Sequence, residues 1–132
     1  MMKSGTYYVG DLCYVLHDEW DEVCELIIKD NVCLDGEFTL KDGRRFAIYG
    51  TAYGDGTYLD QSGNEYDVDA GSIGCILLSD IDLESEGNFL AGGNVVPFES
   101  DFHTDEENGR IMFGSLIIDT DPVYDEEEDE LC

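Results

Sequence analysis

The chain has 132 residues, enough for one domain, and carries 32 Asp and Glu against 6 Lys and Arg, for a formal net charge of -26. A phosphate-binding surface needs clustered cations, so direct nucleic-acid binding and docking on an anionic membrane are excluded. Apolar residues at 42% and aromatics at 11% supply a core, so the charge does not imply global disorder.

In chain order, the opening Met1-Met2-Lys3-Ser4-Gly5-Thr6-Tyr7-Tyr8 has no apolar stretch of the kind a secretory leader needs. A cytoplasmic protein is therefore expected. Tyr7-Tyr8-Val9 and Leu12-Cys13-Tyr14-Val15-Leu16 read as strands separated by the turn-forming Gly10-Asp11. Asp18 to Ile28 reads as an amphipathic helix, with Trp20, Val23, Cys24 and Ile27 at helical spacing on one face. Asp18 is the expected N-cap, Glu19, Asp21 and Glu22 suit the positive end of the helix dipole, and Glu25 and Lys29 form an i, i+4 pair. Asp30-Asn31 is the expected end of the helix.

From Val32 the pattern turns strand-like. A two-residue loop at Asp42-Gly43 would put Leu40 and Phe46 on opposite faces. A three-residue loop, Lys41-Asp42-Gly43, instead pairs Phe38 with Phe46 and Leu40 with Arg44, so that Phe38, Leu40, Phe46 and Ile48 share one face. The predicted turn is thus type I with a bulged Gly43 in the left-handed region. The same device recurs at Gln61-Ser62-Gly63. It sets Tyr58 opposite Tyr66 and Gly56 opposite Val68, and leaves Thr57, Leu59, Glu65, Asp67 and Asp69 on the other side.

Ile73 to Leu78 is mostly apolar and predicts a buried central strand. Asp80 to Gly93 predicts a loop. Asn94 to Phe98 predicts a strand that Pro97 confines to an edge. His103 to Gly109 reads as a polar loop and Ile111 to Ile118 as the last strand. That last run is the longest nearly apolar stretch, far short of the roughly 20 residues a spanning helix needs. Asp119 to Cys132 holds eight acids and no cation, which predicts a solvated, disordered tail. The tail carries less than a third of the net charge, so the body is acidic in its own right. The expected fold is α+β and mainly antiparallel, a sandwich or partly open barrel of about seven to nine short strands with one helix near residues 18–29. The domain is expected to span residues 1–118 and the tail 119–132.

The five cysteines, Cys13, Cys24, Cys33, Cys75 and Cys132, are odd in number and lack a CxxC pair, so neither a disulfide framework nor a zinc site with His17 or His103 is indicated. The first four read as small buried hydrophobes. The densest polar constellation is Thr51 to Tyr58 with Asp67 to Gly71. Extending the hairpin register sets Asp55 opposite Asp69, and like charges so placed cost stability. Either Gly54 and Gly56 break the ladder first, or Asp55, Asp67 and Asp69 hold a calcium or magnesium ion. Asp60-x-Ser62-x-Asn64 imitates the start of an EF-hand loop, but Glu65 stands where the turn Gly belongs and Gly71 where the final acid belongs. The abundant tyrosines pack as half-buried strand residues or, at Tyr53, Tyr58 and Tyr66, form a polar-aromatic binding face. No nucleophile signature and no Gly-rich phosphate loop is present.

The strings Tyr7-Tyr8-Val9-Gly10-Asp11-Leu12-Cys13-Tyr14-Val15, Thr51-Ala52-Tyr53-Gly54-Asp55-Gly56-Thr57-Tyr58 and Tyr66-Asp67-Val68-Asp69-Ala70-Gly71-Ser72-Ile73-Gly74 resemble those of small uncharacterised proteins in bacteria and phages. The resemblance covers most of residues 6–118. It implies a phage or bacterial origin and no activity.

Three accounts of the acidity compete: solubility, including life at high salt; a basic partner, or imitation of a nucleic-acid backbone toward a protein that binds one; and divalent-cation binding. The expected function is a non-enzymatic, acidic binding protein directed at a basic protein surface, with no resident cofactor. The alternative is a cation-binding or hydrolytic protein centred on Asp55 and Asp69.

Overall fold

Alternation at period two governs most of the chain and resolves into two five-stranded antiparallel sheets. The computed structural model describes residues 2–16, 19–29, 32–52, 56–68, 71–81, 93–107 and 109–120. The strands are β1 (Gly5–Gly10), β2 (Ile28–Lys29), β3 (Val32–Cys33), β4 (Gly36–Thr39), β5 (Arg45–Gly50), β6 (Gly56–Asp60), β7 (Glu65–Val68), β8 (Ser72–Leu77), β9 (Asn94–Phe98), β10 (Thr104–Glu107), β11 (Arg110–Phe113) and β12 (Leu116–Asp119). The first sheet has the order β4-β5-β8-β1-β9, the second β10-β11-β12-β6-β7, and β2 pairs with β3 apart from both. Helix α1 is Trp20–Ile27. The molecule is thus an α+β fold, mainly antiparallel β and unclosed.

The three central strands of the first sheet, β5, β8 and β1, are buried on both faces. Along β1, Tyr7 and Val9 face the second sheet while Tyr8 faces the helix. Along β5, Ala47 and Tyr49 face the second sheet while Phe46 and Ile48 face the helix. Along β8, Ile73 and Cys75 face the second sheet and Ile76 the helix. The apolar run expected to be a central strand is β8, third of five in its sheet. The second sheet gives only one face to the core: Tyr58, Tyr66, Val68, Ile111, Phe113 and Ile118. The layers are therefore second sheet, first sheet and helix. Val23 and Ile27 of α1 lie buried with Leu12, Leu16 and Leu40, and each such burial contributes about 2 kcal/mol.

Both hairpins keep their derived registers. Phe38 pairs with Phe46, and Tyr58 with Tyr66. Gly43 and Gly63 close the three-residue loops at φ of 100° and 88°, where a side chain would be strained. The Leu40 amide bonds the Arg44 carbonyl at 2.8 Å, and the Asp60 amide bonds the Asn64 carbonyl at 3.1 Å. β9, with Pro97, lies at a sheet edge.

Elsewhere the sequence reading needs correction. Leu12–Tyr14 is a 3-10 turn, not a strand. The carboxylate of the fully buried Asp11 accepts from the Cys13 amide at 3.0 Å and caps that turn. Leu12 then seats over Gly74, where a Cβ would strike the Ala47 carbonyl oxygen and lie 2.7 Å from the Leu12 Cδ1. The polar stretch expected as a loop contains β10, and the apolar run expected as one strand is the β11–β12 hairpin, with Phe113 opposite Leu116. Gly114-Ser115, a pair suited to the tight primed hairpin turns, forms its loop. β12 takes in Asp119, and Thr120 is buried, bonding the Gly109 carbonyl, so the folded body passes the expected boundary at 118. The remainder of the expected tail lies outside the described residues.

The helix is shorter than the sequence pattern predicts. Its cap position is Glu19, whose side chain makes no capping bond, and Asp18 lies outside the described residues. Glu19 instead meets Arg44 at 2.9 Å; Arg44 also grips Asp42 and donates to the Asp80 carbonyl at 3.1 Å. One guanidinium so joins the first hairpin loop, the helix start and the 3-10 turn Leu78–Asp80 that follows β8. Asp30-Asn31 and the side chain of Lys29 lie outside the described residues. Cys75 is buried, but Cys13 and Cys24 are half-buried, short of the full burial expected.

Polar side chains stitch the two sheets along their long sides. The Tyr49 hydroxyl lies 2.8 Å from Thr104 Oγ1, which donates to Glu37 Oε2 at 3.1 Å. On the opposite side the Asn94 carboxamide donates to the Glu65 carbonyl at 2.9 Å.

Candidate interaction face

The outer face of the second sheet follows from the register. One row crosses all five strands: Glu107 opposite Arg110, Arg110 opposite Asp119, Asp119 opposite Leu59, and Leu59 opposite Glu65. The next row sets Asp105 opposite Met112 and Met112 opposite Ile117. On the other flank Thr57 faces Asp67. Leu59 is 49% exposed and Ile117 36%, and Met112 is half-buried between them and the rim. The result is an apolar centre of Leu59, Met112 and Ile117 bordered by Asp105, Glu107, Asp119, Glu65 and Asp67. Arg110 stands alone among these acids, 3.8 Å from Asp119. Scattered exposed apolar side chains are ordinary; adjacent ones inside a charged rim have the make-up of a contact surface.

The β6–β7 hairpin that carries half of this face is held by a buried carboxylate. Asp60 accepts from the amides of Ser62 and Asn64 at 2.8 and 3.0 Å, from the Asn64 carboxamide at 3.2 Å and from the Tyr66 hydroxyl at 2.8 Å. Burial alone would push the Asp60 carboxyl up. The bonds from Tyr66, Asn64 and Ser62 outweigh it and hold the group below the usual carboxylate range. The segment that imitates an EF-hand start is thus a turn organiser, with its first acid pointing inward.

Of the residues singled out from sequence, Tyr58 and Tyr66 face each other but point into the core, 7% and 0% exposed, rather than onto the outer face of the sheet. The period of the strand puts them on the side opposite Leu59, Glu65 and Asp67. Asp67 is on the outer face and accepts from the Thr57 hydroxyl at 2.8 Å. Tyr53, Asp55 and Asp69 lie outside the described residues. The ladder is described as far as Gly56 opposite Val68, the pair from which the facing of Asp55 and Asp69 was extrapolated. Among the described residues no three Cys, His, Asp or Glu side chains group to hold a metal. No described helix is long and apolar enough to cross a membrane.

Leu59 was legible as an apolar residue on the polar side of its hairpin. Ile117 and Met112 were not, because a run apolar at nearly every position hides which face each residue takes. Asp105 and Glu107 required recognition of β10.

A concavity of about 370 Å³ opens between α1 and the first sheet, lined by Trp20, Cys24, Ile27, Leu34, Asp35 and Ile48 among others. Its one carboxylate, Asp35, accepts from the Gly50 amide at 3.0 Å. In comparisons with known proteins, the chain matches no family model, no curated protein and no solved structure.

Proposed function

We propose that this chain is a non-enzymatic binding protein that engages a basic protein surface by electrostatic attraction. The observation that carries the reading is the charge imbalance together with the use of the cations. Lys3, Arg44, Arg45 and Arg110 each meet a carboxylate of the chain itself, at distances of 2.8 to 3.8 Å. Little positive charge is left to offset the remaining acids, and the molecule presents a negative field on both its helix layer and its second sheet. Such a field speeds encounter with a cationic partner and weakens as salt shortens the screening length, from about 10 Å at 0.1 M to about 3 Å at 1 M.

The test is capture of partners from a bacterial extract by the immobilised chain at low and high salt. Basic proteins are expected at low salt and their release at high salt. Retention of nothing basic at low salt removes the reading.

A divalent cation held by Asp55, Asp67 and Asp69, with or without hydrolytic chemistry, is the second reading. The hairpin register supports it, since Gly56 faces Val68 at the last described pair. Calorimetric titration with calcium and magnesium decides it. Heat that vanishes in the Asp55→Asn, Asp69→Asn variant supports a site; no heat and no shift in melting temperature remove it.

A further inference from the structure

We propose that the outer face of the second sheet docks an amphipathic helix of the partner, its apolar stripe on Leu59, Met112 and Ile117 and its Lys or Arg residues along both flanks. This rests on the reading of the chain as a binder of basic surfaces, and adds the face used and the shape of what it takes.

The molecule itself shows how such a face is covered. The first sheet turns one side to the second sheet and the other to α1, whose Val23 and Ile27 seat on it. The second sheet has the same flat, antiparallel construction, yet among the described residues no element lies over its outer side, and Leu59 and Ile117 stay exposed. Exposed apolar side chains at the centre ask for an apolar stripe. The rim decides the flanks: five carboxylates and one cation favour Lys and Arg and repel a second copy of this acidic chain. The centre runs obliquely across β6, β12 and β11 on the open face of a sheet, which suits a rod-like element better than a compact small molecule, which needs a concave site.

Two synthetic peptides of about 18 residues, long enough to hold a helix, test the assignment. One carries Leu at helical spacing with Lys on both flanks; the other has the same composition scrambled. Affinity is read by fluorescence anisotropy and location by amide chemical-shift changes. The patterned peptide is expected to bind at least about tenfold tighter, with shifts confined to the second sheet, at the apolar centre on β6, β11 and β12 and at the acidic rim on β7 and β10. The Leu59→Ser, Ile117→Thr double variant, which keeps the net charge, is expected to abolish that difference and leave the scrambled peptide's affinity unchanged. Both side chains are exposed, and circular dichroism of the variant confirms that it folds. Equal binding of the two peptides, lost at high salt, or shifts on the α1 side would overturn this docking face while leaving the electrostatic reading intact. Failure of both peptides to bind at low salt would overturn the two together.

Discussion

The two sheets have the same number of strands and the same antiparallel pairing, and they differ in what covers them. The first is enclosed between the second sheet and the helix layer, and its three central strands, β5, β8 and β1, read as nearly continuous apolar runs because both their faces are buried. The second is covered once, and its strands alternate. The comparison teaches where this molecule is intolerant of change and where it is free to carry recognition. Side chains of the central strands of the first sheet are fixed by packing on two sides; those on the outer face of the second meet no other element among the described residues.

The largest expected effect lies in the enclosed sheet. Phe46 is fully buried on the helix side and stacks with Phe38 at 5.7 Å between ring centroids. Phe46→Ala is expected to cost about 4 kcal/mol, read by urea denaturation; a loss under 1 kcal/mol would show the helix layer to be loosely packed. Next comes Gly74→Val. The new side chain meets the Ala47 carbonyl on one side and Leu12 on the other, and about 2–3 kcal/mol of overpacking cost follows. Retention of full stability would mean that Leu12 and its 3-10 turn move aside.

A smaller effect belongs to the singly covered sheet. Asp60→Ala leaves the buried Tyr66 hydroxyl without its acceptor and frees the turn amides, at about 2 kcal/mol or somewhat less. The Asp60 carboxyl is held below its usual range in the folded state. Its contribution is therefore complete above the unfolded value of about 4, and is lost as pH falls through the lower folded value. The wild-type melting temperature should fall more steeply than the variant's on acidification below about pH 4, and parallel curves would contradict the assignment. The smallest effect marks the outer face: Leu59→Ser or Ile117→Thr is expected to change stability by no more than about 0.5 kcal/mol. A larger loss would mean that something within the chain covers these residues.

Much of the enclosed sheet was legible in the sequence. Loop chemistry fixed the register at Gly43, as it did at Gly63 in the second sheet, and the apolar run of β8 announced its central place. What failed was local signal overridden by distant contact. Thr104 to Glu107 has poor strand propensity and forms β10 because β11 pairs with it and Tyr49 bonds Thr104. Leu12 to Leu16 has strand composition and turns because Gly74, more than sixty residues away, leaves a space for Leu12. The candidate face was half legible: Leu59, Glu65 and Asp67 fall together by alternation, whereas Ile117 joins them only once the Gly114-Ser115 turn divides the last apolar run.

The edge strands carry a consequence for behaviour in concentrated solution. β-rich chains risk adding strands end over end into fibrils whenever an outermost ladder is free to extend. Here Pro97 withdraws a donor from β9, Asn94 is already engaged with Glu65, and β10 offers Asp105, Glu106 and Glu107 in succession. At two of the four edges of the five-stranded sheets an incoming copy therefore meets an obstacle, a proline in β9 and mutual repulsion along β10. Light scattering is expected to stay flat with concentration at neutral pH and to rise once acidification neutralises those side chains, because the carboxylates of β10 then no longer hold two copies apart.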